Sequence, residues 1–535
     1  MLNKYKINII YVLNLVEEAV DYLYTKDITK SNEIIKDICE AINFINNIIA
    51  ETGESLDIIE VGNKLGESLK LYQNQKEKVF DTLHLYSKAI SAIKIQYKVL
   101  FLPLATEHTW DSMESVYHEF AAESMFKTEV VAVPLRLIFK GNENDYNEIY
   151  EDFLTPYGIP ITHYDNYSFE DDLPDIVFCN YCVMSINKYL ISNIKHYTGL
   201  IVYIPYYIYS HDLCHNYGDF RNALFMQTEG DTHQHADIYI TAGESYMKHF
   251  SNSTSIGNKM VALGSPKTDS LYNYKQKGNW PRYDEWDKKL NKKTCFLLNT
   301  HFQFIGFKDL LETYKYIIDY IISDNETALI WRPHPATDMF VKYNTQESIS
   351  FHTNLIEHAK TCERIIFDET PTIISALMYS KALITTDYSS VVSMAVCLDI
   401  PSFIMACNPK EMTENIETYY KPIYENYLQI RKQIDRKNLT TITALPTFGL
   451  DTYLKKGETY IDKCYFEPVK RFINNIKNGE DPKAELRREY KKQLLNNTDG
   501  TCAKHILDYI KLIIAANNEE GDQPPPFKIR SPSLG

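Results

Sequence analysis

Two short segments of this chain carry residue types suited to phosphate chemistry. In Ile330-Trp331-Arg332-Pro333-His334-Pro335 an arginine and a histidine flank a proline. A guanidinium can fork onto phosphate oxygens, and an imidazole can donate a hydrogen bond or shuttle a proton near neutral pH. The two prolines restrict the backbone and so limit where these side chains point. In Thr385-Thr386-Asp387-Tyr388-Ser389-Ser390 two hydroxyls precede an apolar run with Val391, Val392, Met394, Ala395 and Leu398. If that run is a helix, its first N–H groups and its dipole favour an anion such as a phosphate or diphosphate. Each segment also has a plainer reading: a structural histidine beside an ion-paired arginine, and an N-cap without a ligand.

Positioning these residues needs strands that end where they begin. Tyr97 to Leu102, Glu129 to Val133, Asp175 to Cys179, Leu200 to Ile204 and Ala236 to Thr241 are short apolar runs separated by helix-length segments. The alternation restarts with Thr294 to Asn299, Thr327 to Trp331, Ile365 to Asp368, Ala382 to Thr386 and Ser402 to Met405. Strands alternating with helices mean βαβ units around buried parallel sheets. The fold class is therefore α/β, with two such domains in tandem and a cleft between them. Arg332 and Ser389 both fall at strand ends of the second sheet, and Asp368 and Thr370 end the strand between them.

Residues 1–95 read differently. Ile9, Val12, Leu13, Val16 and Val20 recur at helical spacing, as do Ile38, Ile42, Ile45 and Ile49, and again Val79, Leu83, Tyr86 and Ile90. This predicts a helical bundle or hairpin. The organisation expected is a helical unit over 1–95, a first Rossmann-like domain over 96–280 and a second over 281–485. A polar connector runs from Lys275 to Lys293, a closing helix covers 486–516, and a disordered Pro-rich tail covers 517–535.

With 535 residues the chain is too long for one core. Its net charge of −15 argues against a sequence-independent grip on nucleic acid. The 10 cysteines sit mostly in apolar contexts, which suits reduced thiols and a cytoplasmic setting. Cys179 and Cys182 form a lone C-x-x-C with no second pair for zinc. No apolar window reaches the roughly 20 residues of a membrane span.

The segment from Ala382 to Ile404, with Arg332-Pro333-His334-Pro335 upstream, resembles the CDP-glycerol glycerophosphotransferase family, which includes the teichoic-acid polymerases. The Thr-Asp-Tyr-Ser-Ser block, the Pro-led strand Pro401 to Ile404 and the turn Gly264-Ser265-Pro266-Lys267-Thr268-Asp269 carry the likeness, with Lys267 for the usual arginine. The resemblance covers roughly residues 97 to 515. It implies a GT-B-like pair of domains whose second member holds the donor nucleotide, with no metal and no cofactor in catalysis. It places Arg332, His334, Asp387, Ser389 and Ser390 at the donor diphosphate, with Asp368, Thr370 and Gly264 as further donor-side candidates.

On the acceptor side the family's Trp-His-Gly segment is replaced by Val202-Tyr203-Ile204-Pro205-Tyr206-Tyr207. An acceptor hydroxyl still needs a base. His211, His215 and His108 are candidates for that role beside His334, and Tyr206 and Tyr207 for stacking on an acceptor. The expected activity is transfer of glycerol phosphate, another polyol phosphate or a sugar to a polymer, glycan or lipid-linked hydroxyl in bacterial cell-surface synthesis. The class admits peripheral contact with the inner face of the cell membrane and self-association through residues 1–95. Two other readings stand beside it: a nucleotide-sugar epimerase or hydrolase on the same fold, and a non-catalytic assembly protein acting through its helical unit.

Overall fold

The structure is a computed structural model. It describes residues 1–25, 31–138, 146–182 apart from 152 and 155–157, 186–208, 230–244, 256–301, 308–335, 344–386, 389–405 and 466–519, with a few single positions between them.

The N-terminal residues form four helices: α1 (Asn3–Thr25), α2 (Ser31–Glu51), α3 (Leu56–Leu69) and α4 (Lys76–Ser91). Each presents one apolar stripe, and the stripes meet in a core with Ile9, Val16, Ile42, Leu65, Leu83 and Ile90. One polar pair lies inside it, where the Tyr86 hydroxyl donates to Asn46 Oδ1 at 2.8 Å. Gly62 is required there, because a Cβ would sit 2.5 Å from that same oxygen. The bundle docks on the next domain through its first turn. Asn3 Nδ2 donates to Asp175 Oδ1 (2.8 Å), and Lys4 Nζ reaches the Asp171 and Asp172 carbonyls (3.0 Å each). Asp175 directly precedes a strand, so this contact lies at the N-terminal edge of the first sheet.

That sheet is built from β1 (Tyr97–Leu102), β2 (Phe126–Ala132), β5 (Ile161–His163), β6 (Ile176–Cys179), β7 (Leu200–Tyr203), β8 (Ile238–Ile240) and β9 (Met260–Val261). A separate antiparallel hairpin pairs β3 (Leu135–Ile138) with β4 (Tyr146–Ile149). The sheet order is β5-β2-β1-β6-β7-β8-β9, with every pair parallel. The second sheet holds β10 (Thr294–Thr300), β11 (Thr327–Pro333), β12 (Ile365–Phe367), β13 (Ala382–Thr386) and β14 (Ser402–Met405), in the order β12-β11-β10-β13-β14, again all parallel. Both follow the doubly wound pattern: the first strand sits centrally and the winding reverses beside it. The reversal falls between β1 and β6 in one domain and between β10 and β13 in the other. This is the GT-B-like α/β pair with a helical unit in front.

The connector and the chain's last helices depart in detail from the sequence-based outline. The stretch expected as a polar connector holds the end of helix Lys267–Lys277 and the helix Asp284–Leu290, anchored by Trp286 and Leu290 in the second core. The single helix expected over 486–516 is two, Ala484–Leu494 and Cys502–Glu519. Between them the backbone takes left-handed conformations at Asn497 (φ 50°) and Gly500 (φ 86°), which no helix continues through. The last helix packs Ala503, Ile506, Leu507 and Ile510 into the core of the first domain. Asp269 fixes its start: one carboxylate oxygen accepts from Cys502 N (3.0 Å) and the other from Ala503 N (2.8 Å). Residues 517–519, expected to open the disordered tail, belong to this last helix, and the rest of the expected tail, 520–535, lies outside the described residues.

Candidate functional site

The apolar run β11 buries Trp331 completely and carries Arg332 to the C-terminal end of the second sheet. The guanidinium is firmly held. Its Nη1 donates to Asp368 Oδ2 at 2.8 Å and to Thr370 Oγ1 at 3.1 Å, and Nη2 reaches the Pro371 carbonyl at 3.4 Å. Asp368 in turn accepts from the Thr370 hydroxyl (2.6 Å) and backbone N–H (2.9 Å). Arg332, Asp368 and Thr370 thus come together as a buried ion pair with a hydroxyl clasp.

Ser389 is also buried at this end of the sheet, but its hydroxyl is engaged. It donates to Asn299 Oδ1 at 2.8 Å and accepts from Val391 N at 3.3 Å. Asn299 ties the strand ends together. Its Oδ1 also accepts from Thr385 Oγ1 (3.3 Å), and its Nδ2 donates to the Arg332 carbonyl (3.2 Å). Ser390 stands at the start of helix Val391–Cys397 and makes no side-chain cap bond. Asp387, His211 and His215 lie outside the described residues.

His334 follows β11, and its ring lies 4.7 Å from that of His301, centroid to centroid. His301 comes just after β10, at the reversal point of the sheet. Burial pushes the His334 imidazole down to about 4, and the positive charge of Arg332 adds to this. Burial holds His301 well below its usual range, with His334 as a second cause.

The first domain contributes a third imidazole. His108 lies in the short helix Glu107–Trp110 after β1, at the reversal point of its own sheet. Burial lowers it to about 3, and His334, Lys267 and Arg332 are close enough for their charges to depress it further. The C-terminal ends of the two sheets therefore face each other. Below His108, Lys267 Nζ donates to its carbonyl at 3.3 Å and pairs with Asp111 at 2.8 Å. Glu114 Oε2 accepts from Ser270 at 3.4 Å. Burial raises both carboxyls; Lys267 opposes the rise at Asp111, whereas the neighbouring Asp111 charge adds to it at Glu114.

Tyr207 of the acceptor-side candidates lines a pocket of about 310 Å³, counted with its open mouth, at the ends of β7, β8 and β9, and Gly264, expected on the donor side, lies in the wall of this same first-domain pocket. Pro205, Tyr207, Thr241, Gly264 and Ser265 are among its walls. Tyr206 packs edge-on to Tyr207, with centroids 5.1 Å apart. Ser265 Oγ is buried there with no hydrogen-bond partner among the described residues. Gly264 has φ of +101°, and a Cβ would meet the Asn496 carbonyl oxygen at 2.6 Å, so this glycine also admits the returning chain. Cys179 and Cys182 are unpaired thiols raised by burial, Cys182 to about 11, which disfavours thiolate chemistry. No group of three metal-ligating side chains occurs among the described residues.

Asn299, His301, Asp111 and Glu114 were not singled out by the sequence reading. Asn299 and His301 sit in Asn299-Thr300-His301, at the end of an apolar run, but only the strand order reveals that this end is the reversal point. Asp111 and Glu114 flank Ser112-Met113 on a helical segment, where carboxylates ordinarily face water.

No protein-family profile and no curated protein matches the sequence. Among solved structures the chain is similar to an S. aureus MnaA–UDP co-structure, with 12% identity, 80% of this chain and 100% of that chain covered, and a TM-score of 0.48. It is similar to a UDP-N-acetylglucosamine 2-epimerase (12% identity, 80% and 99% covered, TM-score 0.45). It is also similar to the wall teichoic acid polymerase TagF (12% identity, 86% and 98% covered, TM-score 0.44). Likeness at this level leaves the fold assignment to the chain's own strand order: two parallel doubly wound sheets with their carboxyl ends opposed.

Proposed function

We propose that this chain is a transferase that moves a glycerol phosphate, another polyol phosphate or a sugar from a nucleotide-activated donor to a hydroxyl of a growing bacterial surface polymer. The observation that carries the reading is the approach of His108, at the reversal point of the first sheet, to Arg332 and His334 at the carboxyl end of the second. Ligands of doubly wound sheets bind at those positions, and here the two domains supply complementary parts. On this reading the acceptor oxygen attacks phosphorus or an anomeric carbon and the nucleotide departs. His334 and Arg332 lie where the leaving phosphate's charge develops, and donors fixed in advance stabilise such charge most effectively. His108 stands opposite, placed to take the acceptor's proton. The chain then works at the cytoplasmic face of the membrane; among the described residues no helix is long and apolar enough to cross it.

A second reading is favoured by one observation. Asp111 and Glu114 are carboxyls raised by burial beside the same cleft, and such groups suit acid–base chemistry on a sugar ring without an acceptor. An epimerase or hydrolase of nucleotide sugars would use them. Thermal-shift titration with CMP, CDP, UDP and GDP tests the common part: at least one nucleotide should raise the melting temperature, and none doing so defeats both readings. Incubation with CDP-glycerol and nucleotide sugars, with and without acceptor extract, separates them. Release of CMP, CDP or UDP only with acceptor supports transfer, and donor conversion without it supports the second reading.

A further inference from the structure

We propose that Asn299 is a positioning residue for the second domain's end of the cleft, and that Ser389 is its strut rather than a ligand of the donor. This rests on reading the cleft as a donor site, and it changes which residues there touch the donor.

The strand order places Asn299 at the reversal point. β10 is the central strand, with β11 on one side and β13 on the other. Connections part at such a point, and ligands of doubly wound sheets bind in the crevice that this opens. Asn299 is the last residue of β10 in register with β13, opposite Thr385, and on its other side it faces Arg332 of β11. Its side chain joins the segments that part there. Nδ2 donates to the Arg332 carbonyl at 3.2 Å, and Oδ1 accepts from Ser389 Oγ at 2.8 Å and from Thr385 Oγ1 at 3.3 Å. Thr385 shares its proton with the Asn299 carbonyl at 3.0 Å.

These partners fix the amide's orientation. The Arg332 carbonyl can only accept, so the nitrogen must face it and the oxygen must face the two hydroxyls. Ser389 therefore donates to Asn299, and a serine has one proton to give. Its oxygen also accepts from Val391 N at 3.3 Å, and the side chain is buried. A diphosphate oxygen only accepts hydrogen bonds. With its proton committed, Ser389 has nothing to offer that oxygen. What it does is tie the turn before the helix Val391–Cys397 to the strand end that carries Arg332. Misplacement of a bound group by about 1 Å can cost on the order of a hundredfold in rate. A clasp that sets this spacing thus acts on the donor through its neighbours.

The test is calorimetric titration of the full chain with CDP-glycerol and UDP-glucose at pH 5.0 and 8.0, each affinity being divided by the parent's at the same pH. In Asn299→Asp a protonated carboxyl keeps the acceptor and one of the amide's two donors, which completes the clasp and leaves no donor over for a ligand. The ionised carboxylate instead turns an oxygen towards the Arg332 carbonyl. The expected relative affinity is within about threefold of the parent at pH 5.0 and at least about tenfold weaker at pH 8.0. Ser389→Ala should also weaken binding, and the double variant with Asn299→Ala should bind no more weakly than Asn299→Ala alone. Should Asn299→Ala lose its cooperative melt, Ser389→Ala is combined with Asn299→Asp and compared at pH 8.0. A relative affinity of Asn299→Asp that does not change with pH, or a Ser389→Ala loss that adds in full in the double variant, overturns the inference and leaves the donor reading standing. If the parent chain binds neither nucleotide, the donor reading falls and the inference falls with it.

Discussion

At Arg332 a residue type expected to meet phosphate is found already holding Asp368, Thr370 and Pro371. A buried pair of this kind contributes little net stability as a pair, but removing one partner strands the other charge. Arg332→Met is therefore expected to destabilise the fold by about 3–5 kcal/mol, and the double change Arg332→Met with Asp368→Leu by clearly less. Urea unfolding of the single and double variants measures this; equal losses would show that the pair does not act as a unit. The sequence made Arg332, His334 and Ser389 visible because each lies in a short motif beside a strand. It did not make Asn299 or His301 visible, because their importance comes from the order of strands in space. Local spacing cannot carry that order.

Among the elements, strands were the most legible. Short apolar runs punctuated by helix-length segments state a buried parallel sheet directly, and all ten expected strand segments are present. The helical end of the chain was less so, since its break depends on two left-handed residues within a polar stretch. The last helix depends on a carboxylate distant in sequence. Asp269→Ala removes the acceptor for two buried backbone N–H groups and should cost about 1–2 kcal/mol. The loss should be local first. Limited proteolysis is expected to cut between residues 495 and 502 in the variant before global unfolding, and an unchanged digestion pattern would argue that hydrophobic packing alone seats the helix.

For the whole molecule, the three cleft histidines are joined by a fourth buried ring. His233 accepts from Gly230 N–H through Nδ1 at 3.2 Å and packs edge-on to Tyr203, and burial lowers it to about 3. A base whose folded value lies below its unfolded value of about 6.5 gives stability that is full above that pH and lost as pH falls towards 3. Acid sensitivity should therefore set in below pH 6.5, with His233 alone contributing about 1.4 kcal/mol per pH unit. His233→Asn should flatten the dependence of melting temperature on pH between 6.5 and 4.5, and a slope identical to the parent's would refute the assignment.

The first domain holds both the strand that follows the helical unit, Tyr97–Leu102, and the last described helix, Cys502–Glu519, while the second sheet lies wholly between them in sequence. Among the described residues the second domain is in effect an insertion hung on two crossings. One is the helix Lys267–Lys277, which touches both sides through Asp111 and the Leu398 carbonyl; the other is the return at Asn496, bonded to Ala242 and Ala262. Two pins permit rotation about the line joining them and resist sliding, so opening of the cleft should be a swing rather than a shear. They also impose an order on biosynthesis. The hydrophobic groove that receives Ile506 and Ile510 stays open until the ribosome has delivered almost every residue of the second domain, and the nascent first domain must remain soluble through that interval.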